Sequence, residues 1–372
     1  MQTKRLYYID WLRVLVILSL IPYHAAYTYL KNGFVYIKQP VSDLFALPFL
    51  IITVPLYDFF MTLLFFVSGI ASFYSFQKRD KRGYIGERVK KLMVPFFLGF
   101  LFLCPITGYI QALYEGAGYG FFDFLPRFFW FDSLKYKAYG HLWFLLYLFV
   151  FSMLCVPLFT RLKEKNGIDR IAVFLSSGHR MLLPVAAVIG LEILLRPHFH
   201  EHQTLVFDWA NDAVYFVTFV YGYVYAADLR IQKKVTEYYK SSIVFGLLSL
   251  AVLFYVNIQT QMRLVDYTYL TYLWALARGV YECSAILFLL NIGKKSTFLN
   301  KGGKAIRYLS RASFTYYLFH YLPVTYFTYL FIDLKYPDFV KFLMVIVLSY
   351  VTVFLIYESW RRFIQHRKSV KE

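Results

Sequence analysis

The sequence predicts an all-α protein: a polytopic integral membrane bundle of about ten transmembrane helices, with both termini in the cytoplasm. Three observations predict it. Apolar residues make up 59% of the 372-residue chain and charged ones 17%, with a mean hydropathy of +0.50, whereas a soluble domain is nearer half apolar and a quarter charged. The apolar residues fall in runs of about 18–25, the length that crosses a bilayer core. No run alternates polar and apolar residues as a barrel strand would, so helices are the remaining way to satisfy the backbone in lipid.

The third observation is the distribution of charge. Of 40 Lys and Arg, 29 fall on alternate loops: 2 before the first span, 7 in 78–91, 5 in 161–180, 4 in 228–240, 6 in 293–311 and 5 after 358. Eight lie on the opposite loops (Lys31, Lys38, Arg127, Lys135, Lys137, Arg196, Arg263 and Lys335), and Arg13, Arg278 and Lys341 lie within spans. That asymmetry is the positive-inside signal. It also argues against nucleic-acid binding despite the net charge of +18, because a binding face collects its cations on one surface. Some of these basic loops suit anionic lipid headgroups.

The spans are drawn at 6–30, 57–77, 92–114, 142–160, 181–195, 209–227, 241–259, 268–292, 312–332 and 339–358. The stretch 44–56, interrupted by Pro48 and Pro55, is expected at the outer surface before the second span. The outer loop 115–140 holds eight aromatics between Tyr119 and Phe131, read as an interfacial belt or as a platform for a sugar ring. The N-terminus resembles a signal peptide, but Asp10 and Arg13 interrupt it and no cleavage site follows, so it reads as a retained helix. Cys104, Cys155 and Cys283 lie in spans and form no metal or disulfide pattern. One membrane domain, 1–372, is expected to use the whole chain with no appended soluble domain, so any chemistry must come from spans and loops.

Ionisable side chains inside a span are costly and default to a functional hypothesis. The first span has the densest set, Asp10, Arg13 and His24. Asp10 and Arg13 are spaced to pair on one helix face. Arg13 and His24 are eleven residues apart, which at ~100° per residue is three turns plus roughly 20°, with a rise of about 16 Å. One face therefore carries a cation suited to an anionic donor and an imidazole suited to proton transfer. The plainer reading is an interfacial ion pair and a core histidine. Arg278 and Glu282 in the eighth span form an i,i+4 pair, more simply structural, and Glu192 with Arg196 is a weaker case. Asp58, His141 and His320 are further candidates, Asp58 lying close in depth to His24.

Two other motifs need weighing. HFHEH, with His198, His200, Glu201 and His202, has the residue types of a metal site, but alternate spacing in a loop suits one poorly, and no metal is expected. The segment KRDKRGYIGERVKK (78–91) would attract a phosphate-bearing cofactor such as a nucleotide or coenzyme A. There is no glycine-rich phosphate loop and no serine-hydrolase elbow around Ser68–Gly69.

The pairing of Arg13 with His24 resembles the membrane acyltransferase-3 family, whose first span carries a basic residue, ten residues and a His. LLFFVSGI (Leu63 to Ile70), GERVKKLMVP (Gly86 to Pro95), GHLWFLLYL (Gly140 to Leu148) and SFTYYLFHYLPV (Ser313 to Val324) are similar to further family segments in the same order. Within the family, the likeness is greatest to the type that succinylates osmoregulated periplasmic glucans. The resemblance implies ten spans, an acyl group from cytoplasmic acyl-CoA as co-substrate, and an extracytoplasmic glycan or lipid-linked sugar as acceptor. It implies that His24 is catalytic and Arg13 its partner; Asp10 beside Arg13, and Asp58, Glu282, His320 or His141 in support, are candidates read from the residues themselves. The family's basic pair reads Arg, two residues, Arg; here it is Arg88 and Lys91, which keeps the charge but loses a bidentate fork.

The expected function is thus an O-acyltransferase of the cytoplasmic membrane that transfers acetyl or succinyl groups. Arg88, Lys90, Lys91 and Arg278 would hold the donor. A transporter or flippase of an envelope glycan precursor is the alternative, since it too explains many spans and buried charges. A non-catalytic subunit of envelope glycan assembly is the third reading.

Overall fold

The computed structural model describes residues 6–31, 36–130, 139–164, 167–199, 201, 203–260 and 268–369. Lys135, Lys137, His200, His202 and Arg263 fall outside them, and with them two of the three histidines of the HFHEH motif. Every regular element among the described residues is helical. In chain order these are α1 (Tyr7–Tyr27), α2 (Asp43–Tyr57), α3 (Phe60–Lys78), α4 (Lys81–Arg88), α5 (Val94–Phe102), α6 (Cys104–Tyr114), α7 (Phe121–Trp130), α8 (Trp143–Leu154), α9 (Val156–Glu164) and α10 (Gly167–Ser176). They continue as α11 (Leu182–Leu195), α12 (Trp209–Ala227), α13 (Leu229–Val235), α14 (Tyr239–Thr260), α15 (Tyr269–Lys295), α16 (Thr297–Asn300), α17 (Lys304–Phe319), α18 (Tyr321–Phe331) and α19 (Asp338–Ser369).

Six helical stretches among the described residues are long and apolar enough to cross a bilayer. They become seven if the pair Gly140–Leu154 and Val156–Lys163, bent by 45°, is one span. The structure redraws several expected spans. The surface stretch 44–56 is helical and runs with α3 as one 34-residue apolar stretch, Phe45–Lys78. The basic segment 78–91 is no loop: Asp80 caps α4 by accepting from the Gly83 amide at 2.9 Å, an N-cap role its short carboxylate suits. A π-turn, Val89–Met93, then leads into α5. Pro95, which has no amide hydrogen and crowds the carbonyl four residues back, accounts for the widened turn. At 14 residues, α11 extends about 21 Å, short of a hydrocarbon core of about 30 Å. The aromatic loop holds α7, with Phe124 and Phe128 buried against Gly108 and with Phe122 and Trp130 exposed.

The chain divides into two compact units, each discontinuous in sequence. The first comprises Met1–Ile9, Val54–Phe96 and Trp143–Lys301. Its centre is the contact of α3 with α12, where the backbones meet at two glycines. A Cβ on Gly69 would overlap the Phe219 carbonyl oxygen, and one on Gly222 would overlap that of Phe66. Small residues at such crossings let membrane helices approach closely, which gives the VSGI segment a packing role. Beside them Phe65 stacks on Tyr215, ring centroids 4.8 Å apart.

The second unit comprises Asp10–Thr53, Phe97–Leu142 and Gly302–Glu372. Two prolines shape it. Pro22 lies inside α1 and cannot donate to the Leu18 carbonyl four residues back. The Tyr350 hydroxyl of α19 donates to that carbonyl instead, at 2.7 Å. Pro323, near the start of α18, likewise cannot continue the ladder from α17, and the expected span 312–332 is two helices meeting at His320.

Candidate active site

Three histidines converge in the second unit, each delivered by a local feature. His24 follows Pro22 on α1. His320 stands at the junction of α17 and α18 and is buried. His141 sits in the turn before α8, next to Gly140, whose φ of +42° favours glycine because no Cβ then clashes with the backbone. A Cβ there would also lie 3.1 Å from the Tyr36 hydroxyl.

The rings form a chain. His24 stacks on His320 with centroids 5.2 Å apart and planes 30° apart, and His141 meets His320 edge-on at 4.9 Å. Tyr321 closes the group, 4.7 Å from His24 and 5.6 Å from His141. Two hydrogen bonds assign tautomers. His320 Nδ1 lies 2.7 Å from the Tyr317 carbonyl oxygen, and His141 Nε2 lies 2.9 Å from that of Leu318. A carbonyl only accepts, so both nitrogens carry hydrogen. His320 Nε2 is then the open position of its ring, with no hydrogen-bond partner among the described residues. Tyr317 fixes the arrangement from the other side by donating to the His141 carbonyl at 2.8 Å.

Beside His24 lies a small cavity, lined also by Thr28, Tyr36, Ile37, Tyr321 and Thr325. It places an imidazole, phenols and threonine hydroxyls around a small space in otherwise apolar helices. At the other end of α1, the Arg13 guanidinium donates to Asp10 Oδ1 at 3.2 Å and to Ser310 Oγ at 2.7 Å. Ser310 in turn lies 3.3 Å from Asp10 Oδ1. About a third of the Arg13 side chain remains exposed.

A family model described as an acyltransferase domain, acyltransferase-3, matches residues 6–358. The chain belongs to this membrane acyltransferase-3 family. No curated protein and no solved structure matches it. The match spans the residues of both units, and it makes the chain an acyl-transferring, multi-pass membrane enzyme.

The remaining candidates of this acyltransferase lie in the first unit. Arg88, expected to meet the donor, is buried instead: it donates to Ser72 Oγ at 3.2 Å and packs over the Tyr84 ring at 4.7 Å. Lys90 and Lys91 are exposed on the π-turn, and Lys91 pairs with Glu87 at 2.7 Å. Arg278, Glu282 and Asp58 come together as members of a buried ionic network. Arg278 lies 3.2 Å from Glu282, 3.6 Å from Glu192 and 3.9 Å from Asp58, under the rings of Tyr57 and Trp274. Thr62 donates to Glu282 at 2.9 Å. Glu192 and Arg196 join it as a bidentate pair, both contacts 2.8 Å. The i,i+4 spacing points to Glu192–Arg196, although nothing in the sequence marks it as buried this deeply.

The residues the sequence does not mark are Ser310, Tyr36, Tyr321 and Tyr350. Only the proline at 22 hints that a distant hydroxyl must reach α1. Glu358 accepts from Tyr308 and Arg361, both at 2.6 Å, which ties α17 to α19.

Proposed function

We propose that this protein is an O-acyltransferase that moves an acetyl or succinyl group from cytoplasmic acyl-CoA to a hydroxyl of an extracytoplasmic glycan or lipid-linked sugar, as in the type that succinylates periplasmic glucans. The observation that carries this reading is His24 at a small polar cavity, stacked on a histidine whose tautomer is fixed. In the step we assign, a neutral His24 nitrogen accepts the proton of the acceptor hydroxyl as its oxygen attacks the thioester carbonyl. The C–S bond then breaks, and the imidazolium returns the proton to the coenzyme A thiolate. Tyr36 and Tyr321 line the cavity as neutral groups able to donate to the developing oxyanion, and a positioned donor there acts without reorganisation. Arg13, held by Asp10 and Ser310 but partly exposed, supplies a fixed cation for an anionic group of the donor. The exposed Lys90 and Lys91 add further cations for its phosphates.

The test follows loss of labelled acetyl-CoA or succinyl-CoA by protein in nanodiscs with a crude envelope glycan as acceptor. Replacing a general base lowers rate roughly 10²–10⁴-fold. His24→Ala is expected to lose at least the lower end of that range while keeping its thermal transition. Equal turnover by wild type and His24→Ala overturns the assignment. The buried ionic network favours a second reading, transport of a glycan precursor; its signature would be export that survives His24→Ala without thioester loss.

A further inference from the structure

We propose that the exposed face of α7 is a docking ridge for a neutral glycan chain, with Trp130 as the ring on which a sugar stacks and Asp123 and Arg127 as the pair that holds its hydroxyls. The proposal rests on the extracytoplasmic glycan acceptor put forward above and gives that acceptor a point of attachment besides the histidine cavity. The ridge follows from which side α7 buries. Phe124 and Phe128 pack on Gly108 of α6, where an added Cβ would stand 3.2 Å from either ring. Tyr109 meets Phe121 and Phe124 with centroids 5.4 and 5.5 Å apart. The opposite side carries Phe122, Asp123, Pro126, Arg127 and Trp130, all exposed. Phe122 at 82% and Trp130 at 80% are the most exposed large apolar side chains among the described residues, so neither ring is used in packing. Asp123, Arg127 and Trp130 fall at i, i+4 and i+7, one stripe of the helix.

The polar pair selects the occupant. Asp123 and Arg127 have the i,i+4 spacing of an ion pair, yet neither makes a hydrogen bond or ion pair among the described residues. The Arg127 guanidinium lies over the Tyr119 ring instead, 4.6 Å from its centroid. Tyr119 is itself held, because the Tyr109 hydroxyl donates to its carbonyl at 3.1 Å. The stripe therefore offers a carboxylate that only accepts and a guanidinium that only donates, beside an open indole face. A sugar ring matches all three, since its hydroxyls donate and accept and its C–H face is apolar. Hydrocarbon would strand the unpaired Asp123 carboxylate, and an anionic headgroup would be repelled by it. From Phe122 to Trp130 the helix rises about 12 Å, a length that a chain of sugars covers and a single sugar does not. The asymmetry of basic residues assigns loop 115–140 to the outer side, the side of the proposed acceptor.

The test is saturation-transfer NMR of the full chain in nanodiscs, titrated with laminariheptaose or maltoheptaose and without any acyl donor. Wild type is expected to bind at least one of these neutral glucans saturably. Trp130→Ala should weaken binding roughly tenfold through loss of the ring, and Asp123→Ala roughly tenfold through loss of a hydrogen bond to a charged group. Trp130→Phe should keep most of the affinity. All three are surface substitutions, so the thermal transition should stay at the wild-type value. No saturable binding of either glucan by wild type overturns the proposal, as does undiminished binding by Trp130→Ala. Quenching of Trp130 by brominated lipid, read as the difference between wild type and Trp130→Phe, would assign the ring to the bilayer interface and overturn it. A wild-type dimer that Trp130→Ala converts to monomer would assign the face to a second copy, with the same result. Because no donor is present, failure here leaves the His24 assignment standing, and equal thioester loss by wild type and His24→Ala would leave this binding standing.

Discussion

His320 illustrates how one residue is defined by what its backbone lets it do. It stands where Pro323 has ended one helix and begun another, and its Nδ1 hydrogen is committed to the Tyr317 carbonyl at 2.7 Å. Its ring is therefore presented to His24 in one orientation. Expressed as kinetics, a positioning role predicts that His320→Ala lowers kcat roughly tenfold, about 1.4 kcal/mol in the barrier, with KM unchanged. His320→Ala should also displace the pH–rate profile, since a neighbouring ring influences the basicity of His24. An unaltered profile would reduce His320 to packing. Arg278 poses the opposite case, a cation among acids. Removing one partner of a buried ion pair costs about 3–5 kcal/mol, because the other charge is stranded. Arg278→Met is therefore expected to lower the thermal transition sharply. Adding Glu282→Gln should recover part of the loss by removing one stranded negative charge, and strictly additive losses would contradict the network.

At the scale of elements, the contact of α3 with α12 is the closest in the first unit, and it rests on Gly69 and Gly222. Each glycine faces a carbonyl of the opposite helix, so neither has a flexible neighbour that could yield. Overpacking in a well-packed core costs about 1–3 kcal/mol. Gly69→Ala and Gly222→Ala should each fall in or above that range in thermal unfolding. The double variant should cost less than the sum, since one separation of the helices relieves both. The SerGly segment can thus be read as a motif from sequence, while its physical reason appears only with the partner helix. Elements are also least legible in the sequence. The segment 78–91 looks like a loop because seven of its residues are basic, yet an Asp cap and a π-turn make it helical; charge reports on topology more strongly than on backbone.

At the scale of the molecule, the distribution of basic residues predicts that fluorescent-protein fusions at either end fluoresce in the cytoplasm. A dark fusion at one end would require an odd number of crossings. The all-helical architecture and membrane embedding are legible from composition and run length, since lipid leaves a chain few alternatives. The number of spans is less so: proline breaks and short apolar helices such as α11 look continuous or complete in a hydropathy pattern. Of the candidate site, His24 and Arg13 are visible because charge within a span is costly and because their eleven-residue spacing aligns them. The convergence of His141 and His320 on His24 is not visible, because it depends on Gly140 and Pro323 turning two distant segments inward. Similarly, the ionic network was legible as pairs four residues apart but not as a group of five.

The Leu18 carbonyl left open by Pro22 is met by Tyr350, 332 positions later. Arg13 is held by Ser310, 297 positions later. At 5–20 residues per second, synthesis of the intervening chain takes from roughly a quarter of a minute to a minute. During that interval the first helix already carries its imidazole, but His320, Tyr321 and Tyr350 have yet to be made. The first helix thus reaches its final arrangement only when the last two helices have been translated.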